Sequence, residues 1–400
     1  MKAPFLFADE IDTAGKRVLL RLDLNVPLVD GVVGDDTRIR RILPGLQALF
    51  GAGARVIILT HLGRPKGKIV PEMSVAPVAA ALAALLGIPV PVMDDVIGSD
   101  GARAVAGLQD GDVMMMENLR FYAGEEANDP QFAAALAALG DVYVGDAFSC
   151  THRAHASVEA LPRMMPVATA GRALGAELTM LHRALSDPER PLCAVVGGAK
   201  VSSKIQVLEN LSQRVDLLVL GGGMANSFLL AAGHDIGASL VEAEMVDTAA
   251  RIAASAKNHG CQLFLPDDFL VAKSFHEGVE SRTARLGDIA PDDMILDAGP
   301  ASAAAAADLI RDCKTVVWNG PMGAFEIKPF DSATNILATT VASASQSGSI
   351  MSVAGGGDTL AALANAGVSD QFSYVSTAGG AFLEWLEGRV LPGVEALRRD

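Results

Sequence analysis

The 400-residue chain is half hydrophobic, long enough for two or three domains that each bury a core. Its formal net charge of −15 argues against general nucleic-acid affinity, which needs clustered Lys and Arg to release counterions, but it stays compatible with a local basic pocket for a small anion. Four widely spaced cysteines, Cys150, Cys193, Cys261 and Cys313, include no C-x-x-C, so neither a zinc ribbon nor a redox pair is signalled and reduced, buried thiols of a cytosolic protein are expected.

The N-terminus, MKAPFLFADEID, meets Asp9 and Glu10 before an apolar leader can form, so no signal peptide is expected. RVLLRLDLNVP predicts a first strand that ends in Asp23 and Asn25, with Arg38 a short turn beyond. GAGARV turns into the next strand, ARVIILTHLGRP, which ends in His61 and Arg64. No residue from Met73 to Met93 is charged, nearly enough to span a membrane, yet Pro77, Gly87, Pro89 and Pro91 interrupt the stretch. It reads instead as a helix from about Val78 to Leu86 and a strand at IPVPVM. DVMMMENLRF ends in Asn118 and Arg120, and DVYVGDAFS in Asp146. HRAH at 152–155 has no third ligand nearby and is rejected as a zinc site.

In residues 171–191, Leu174, Leu178, Leu181 and Leu185 recur at helical spacing until Asp187-Pro188 ends the pattern, which predicts one joining helix. The second half repeats the strand–turn–helix order in PLCAVVGGAK, VDLLVLGGGMAN, CQLFLPDDF, KTVVWNGPMG, SIMSVAGGGDT and FSYVSTAGGA. The expectation is therefore α/β: two doubly wound parallel-sheet domains joined by a helix, with a hinge. The boundaries read as 1–170, a linker at 171–190, and 191–386, followed by a short helical tail.

Ligands of open α/β sheets sit beyond the carboxyl ends of the strands. The first half displays polar and cationic side chains there, including Arg64, Arg120 and, nearby, Arg38 and Arg153; arginine forks suit carboxylate and phosphate. Each alone is more often a surface or salt-bridge residue. The second half displays glycines. GGAKVSSK at 197–204 follows a strand and opens a helix, and Lys200 and Lys204 would share a helical face if the helix starts early, repelling each other unless an anion lies between. It is not the G-x-x-x-x-G-K-[ST] loop. VAGGGDTLAAL places Gly355, Gly356 and Gly357 before Asp358 and Thr359, which are ordinary helix caps. A carboxylate beside a phosphate implies a bridging cation, so Asp358 is the metal candidate. Asn319 and Glu326 flank a further turn in WNGPMGAFE, and Glu326 could accept from ribose hydroxyls. GGGMANSF is not G-x-G-x-x-G, because Asn226 stands at the last glycine.

Taken in order, DLNVP, HLGRP, ENLRF, HRAHAS, GGAKVSSKI, GGGMA, WNGPMGAFE and GGGDT resemble the motifs of the phosphoglycerate kinase family nearly end to end, and LEGRVLPGVEAL is similar to its C-terminal segment. The resemblance implies phosphoryl transfer between 1,3-bisphosphoglycerate and ADP in a cytoplasmic monomer, with no nucleic-acid or membrane partner. It implies that Asp23, Leu24, Asn25, Arg38, His61, Leu62, Gly63, Arg64, Arg120 and Arg153 hold phosphoglycerate. Lys204, Asn319, Glu326, Gly356, Gly357, Asp358 and Thr359 would hold ADP or ATP, with Mg²⁺ on Asp358. Arg38, Lys200 and Gly379 would serve the transfer, and residues 387–400 would return to the first domain. Ala378 stands where the family usually has glycine, Gly145 where it often has Asn, Ala298 where it often has Ile, and SCTHRAH differs before its histidine. The rival readings are a nicotinamide oxidoreductase, which lacks its fingerprint here, and a non-catalytic scaffold, which motifs alone do not exclude.

Overall fold

The structure, a computed structural model, describes residues 5–399. The runs that read as strands pair in parallel into two six-stranded sheets. The first is ordered Val92–Met93, Val113–Met116, Arg55–Leu59, Arg17–Arg21, Val142–Gly145, Ala168–Ala170. Val18 faces Val56 on one side and Val142 on the other. Both faces of that strand are covered, which is why its apolar residues run on without alternation: Val18, Leu19 and Leu20 are all buried. The helix Thr37–Gly51 covers one face with Ile39, Ile42, Leu46 and Leu49, a helical spacing of apolar residues.

The second sheet is ordered Gln262–Phe264, Leu217–Leu220, Leu192–Val196, Thr315–Asn319, Met351–Gly355, Tyr374–Ser376. Numbered along the chain that is 3-2-1-4-5-6, the doubly wound order whose switch point lies between the first and fourth strands. Its core joins Val195, Val316 and Trp318 to Leu337 and Val341 of the helix Ser332–Gln346.

Three features depart from the sequence reading. CQLFLPDDF is not one strand. It breaks into Gln262–Phe264 and Asp268–Ala272 around Pro266, which has no N–H to donate to a ladder. Asp268–Ala272 then pairs antiparallel with Ser281–Arg285 and Met294–Ala298, a small sheet with its own core around Phe269, Val271 and Ala284. The joining segment is an α-helix only over Arg172–Leu181 and widens into a π-helical turn at His182–Ser186.

The chain divides into two compact units: residues up to Leu178 with Val390 onward, and Thr179–Arg389. The division falls inside the helix Arg172–Leu181. In the first unit the Gly393 N–H donates to the Thr151 carbonyl at 2.9 Å. Arg389 stays in the second, on Gln206. The helix Ala76–Leu86 has 11 residues, and no described helix is long and apolar enough to cross a membrane.

Candidate active site

In the first unit the strand Arg17–Arg21 lies between Arg55–Leu59 and Val142–Gly145, so the loops leaving these strands meet at one rim. Alternation continues past the strand: Leu22, Leu24 and Val26 are buried, while Asp23 and Asn25 point away from the core. Thr60 anchors this loop, its Oγ1 donating to the Leu22 carbonyl at 3.0 Å and accepting the Leu24 N–H at 3.2 Å. Asn25 Oδ1 accepts the Gly63 N–H at 2.9 Å. Buried Asn118 donates to the Leu62 and Met73 carbonyls at 2.7 and 2.9 Å, and Arg120 Nη1 donates to the Gly63 carbonyl at 2.7 Å. The HLGR loop is thus held from below, with Gly63 in the left-handed region at φ 62°.

The cations differ in burial. Arg64 is exposed and makes no hydrogen bond or ion pair with a described residue, whereas Arg120 is buried, its Nε without a hydrogen bond and 3.5 Å from Glu126 Oε1. Arg153 is half-buried, with its Nε on His152 Nε2 at 3.1 Å. Arg38, 44% exposed at the start of its helix, rests on Asp23 Oδ2 at 2.7 Å, and Ser149 Oγ donates to the same oxygen. Burial, with help from Arg21, Arg120 and Arg153, pushes buried His61 well below the ordinary histidine range. The same kinds of cause bring His155 down to about 4. Two neutral imidazoles among arginines mark a concentrated positive field that an anion relieves.

Arg21 escaped the sequence reading. It is 2% exposed, and the signal for it was an arginine inside the apolar run RVLLRLDL. Asp146 was grouped with the other strand-end polar residues, but it faces the protein. Its Oδ1 accepts the Leu174 N–H at 2.7 Å in the first turn of the helix Arg172–Leu181, and burial raises its carboxyl to about 6. Oxygen, nitrogen and sulfur atoms of Asp23, His61 and Cys150 lie within 4.8 Å of one another. The surrounding arginines oppose a cation there.

In the second unit the strand ends are packed on one another through glycine. The Gly197 N–H donates to the Asn319 carbonyl at 3.1 Å, and a Cβ at Gly320, where φ is 106°, would fall 2.1 Å from the Gly197 oxygen. Lys204 Nζ bridges the same loops, donating to the Gly197 and Asn319 carbonyls at 2.6 and 2.9 Å. Burial lowers it to about 8, against the pull of nearby Asp358. Asn319 Nδ2 donates to the Gly355 carbonyl at 2.7 Å, and its Oδ1 is buried without a partner. Thr359 Oγ1 donates to Gly355 at 2.9 Å and accepts the Gly320 N–H at 2.7 Å. Asn319, Thr359 and Lys204 therefore hold the rim together.

Other groups face outward. The helix after GGAKVSS begins only at Ile205, so Lys200 and Lys204 do not share a helical face. Lys200 stands exposed in the loop, because the glycine turn and Val201, which is fully buried, delay the first helical turn. Asp358 is exposed in the first turn of Gly357–Asn365 with no hydrogen bond to a described residue. Glu326 is likewise exposed. A Cβ at Gly357 or Gly379 would meet nothing within 4 Å, so there is open space beside the first residue of each of these helices. Ala378 is buried at a negative φ of −98°, outside the left-handed region that favours glycine.

Fold and rims together define the class: a doubly wound α/β protein whose strand ends carry concentrated positive charge in one unit and open helix starts in the other. The phosphoglycerate kinase family model matches residues 8–389. A phosphoglycerate kinase of Azorhizobium caulinodans is 56% identical over 395 residues, 99% of each chain. One of Ruegeria sp. is 54% identical over 390 residues, 98% of each. Among solved structures, the phosphoglycerate kinase of Coxiella burnetii superimposes with a TM-score of 0.93 at 43% identity, over 98% of this chain and 99% of that one. That of Pyrococcus horikoshii OT3 does so with 0.77 at 29%, over 98% of each. The chain belongs to the phosphoglycerate kinase family. It is a phosphotransferase that works between 1,3-bisphosphoglycerate and ADP, giving 3-phosphoglycerate and ATP.

Proposed function

We propose that the two rims divide this reaction, the phosphoglycerate on the first unit and the nucleotide on the second. The carrying observation is the cluster of Arg21, Arg120 and Arg153 around neutral His61, with Arg38 poised at its edge on Asp23. Asp23, Asn25, Arg38, His61, Arg64, Arg120 and Arg153 receive the phosphoglycerate, and Leu24, Leu62 and Gly63 shape the loops that carry them. Arg38 leaves Asp23 for the transferring phosphoryl group, a move its exposure permits. On the second unit Gly356, Gly357 and Thr359 present the helix start to the nucleotide phosphates, Glu326 accepts from the ribose, and Lys204 with Asn319 fixes the loops.

Asp358 supplies one exposed carboxylate without a hydrogen bond to a described residue, beside open space at the helix start, which suits Mg²⁺ shared with substrate phosphates. Mg²⁺ neutralises phosphate charge when bound with the nucleotide. Lys200 and the Gly379 amide line the path of the phosphoryl group. The acceptor, a carboxylate with an ordinary pKa of about 4, is already ionised at neutral pH, so positioning and charge stabilisation suffice without a general base. Because the substrates sit on separate units, transfer requires closure around the joining segment, which also keeps the acyl phosphate from water. A cytoplasmic monomer without membrane or nucleic-acid partners fits the acidic composition.

A coupled assay supplying 1,3-bisphosphoglycerate and ADP should form ATP at a rate that follows enzyme concentration. Purified, folded protein that forms none would overturn the reading.

A further inference from the structure

Arg21 and three buried partners form a directional hydrogen-bond chain that no role above uses. Glu125 is fully buried, and its carboxylate accepts the Ser157 N–H at 2.9 Å and the Ser157 hydroxyl at 2.6 Å. With its proton committed, Ser157 Oγ accepts Arg21 Nε at 2.8 Å. Arg21 Nη1 donates to the Leu22 carbonyl, and Nη2 lies 3.1 Å from His61 Nδ1. A guanidinium has no acceptor, so this contact has one sense: Arg21 donates and His61 Nδ1 accepts. The remaining proton of a neutral imidazole must then sit on Nε2, which makes no hydrogen bond to a described residue.

We infer that Arg21, braced by Ser157 and Glu125, is a positioning residue that locks His61 in the Nε2–H tautomer, so that His61 donates a hydrogen bond to a phosphoglycerate oxygen. This rests on the assignment of the first unit's rim to phosphoglycerate. The opposite tautomer would aim a lone pair at an anion, and a freely rotating ring would lose the donor for part of the time. The groups facing His61 are Arg21 from its strand, Asp23 from the following loop, Arg120 from the ENLRF turn, and Cys150, Arg153 and His155 from the segment after Asp146. Burial with four cationic or basic neighbours keeps the ring neutral, which the tautomer lock requires.

Nitrogen-15 NMR of the wild-type imidazoles tests this without any variant. His61 should show a pyridine-like Nδ1 and a protonated Nε2 that do not titrate between about pH 8 and about pH 5.5, where an ordinary histidine does. Adding 3-phosphoglycerate should shift the Nε2 resonance. A protonated Nδ1, a titration near the ordinary histidine pKa, or an Nε2 signal indifferent to 3-phosphoglycerate in active enzyme overturns the inference. Loss of all turnover with 1,3-bisphosphoglycerate in wild-type protein would instead overturn the substrate assignment. A double-mutant cycle gives the second arm. Arg21→Lys keeps the charge but not the fork, and should raise KM for 3-phosphoglycerate about tenfold with KM for ATP unchanged. In a His61→Gln background the same change should add less than about twofold. Equal effects in both backgrounds would show that Arg21 acts independently of His61 and would overturn the positioning role.

Discussion

At the residue scale, the useful distinction is between side chains that build a rim and side chains left free to act. Asn319, Thr359 and Lys204 have most of their polar atoms on neighbouring loops, whereas Lys200, Glu326 and Asp358 have none among the described residues. Arg38 is intermediate, paired yet partly exposed. Arg38→Ala should lower kcat by at least about 100-fold, the scale of one charge-stabilising group, while ADP affinity measured by calorimetry stays within about twofold. Near-normal turnover would remove Arg38 from the transfer step. Asp358→Asn should weaken MgADP binding by about tenfold, ~1.4 kcal/mol, and leave metal-free ADP almost unaffected. Equal affinities for both forms, unchanged from wild type, would place the metal elsewhere.

At the element scale, the carboxyl of Asp146 ties the end of the strand Val142–Gly145 to the first turn of the helix Arg172–Leu181. Its pKa rises from 3.8 to about 6 because burial disfavours the charged form. The folded protein therefore holds this proton more tightly than the unfolded chain. Its contribution to stability is fully present below the unfolded pKa and is lost as pH rises through about 6, a change on the order of 3 kcal/mol. Asp146→Asn keeps an acceptor for Leu174 but cannot ionise. Urea midpoints at about pH 4.5 and about pH 7 should show the stability difference, variant minus wild type, shifting in favour of the Asn variant as pH rises. A difference independent of pH would show that Asp146 titrates normally. The existence of these elements was legible in the apolar runs, whereas their ends were less so. The late helix start at Ile205 and the three-stranded antiparallel sheet both arise where a turn or a proline diverts a pattern that looked continuous.

At the scale of the whole molecule, the proposed closure has a direct readout. Small-angle scattering curves recorded with 3-phosphoglycerate and MgATP together should differ from those of the free protein, and each substrate alone should produce a smaller change. Superimposable curves in all states would count against closure. The division between the units falls within the helix Arg172–Leu181, and in the turn that follows, His182–Ser186, the hydrogen bonding departs from the α-helical ladder.

The sequence by itself determined the kind of protein: strand–turn–helix repetition, polar strand ends in one half and glycine ends in the other, and ordered motifs that resemble one family. Those are properties of short windows, where period and residue type suffice. The tertiary structure alone decided which strands are neighbours, and hence which loops meet at each switch point. It turned Asp146 inward, placed Lys204 between two carbonyls and revealed Arg21. The reason is distance along the chain: Arg21 is 136 residues from Ser157, and Asn319 is 36 from Gly355. A hydrogen bond across such separations leaves no local pattern, because its partners are brought together only when the sheets form.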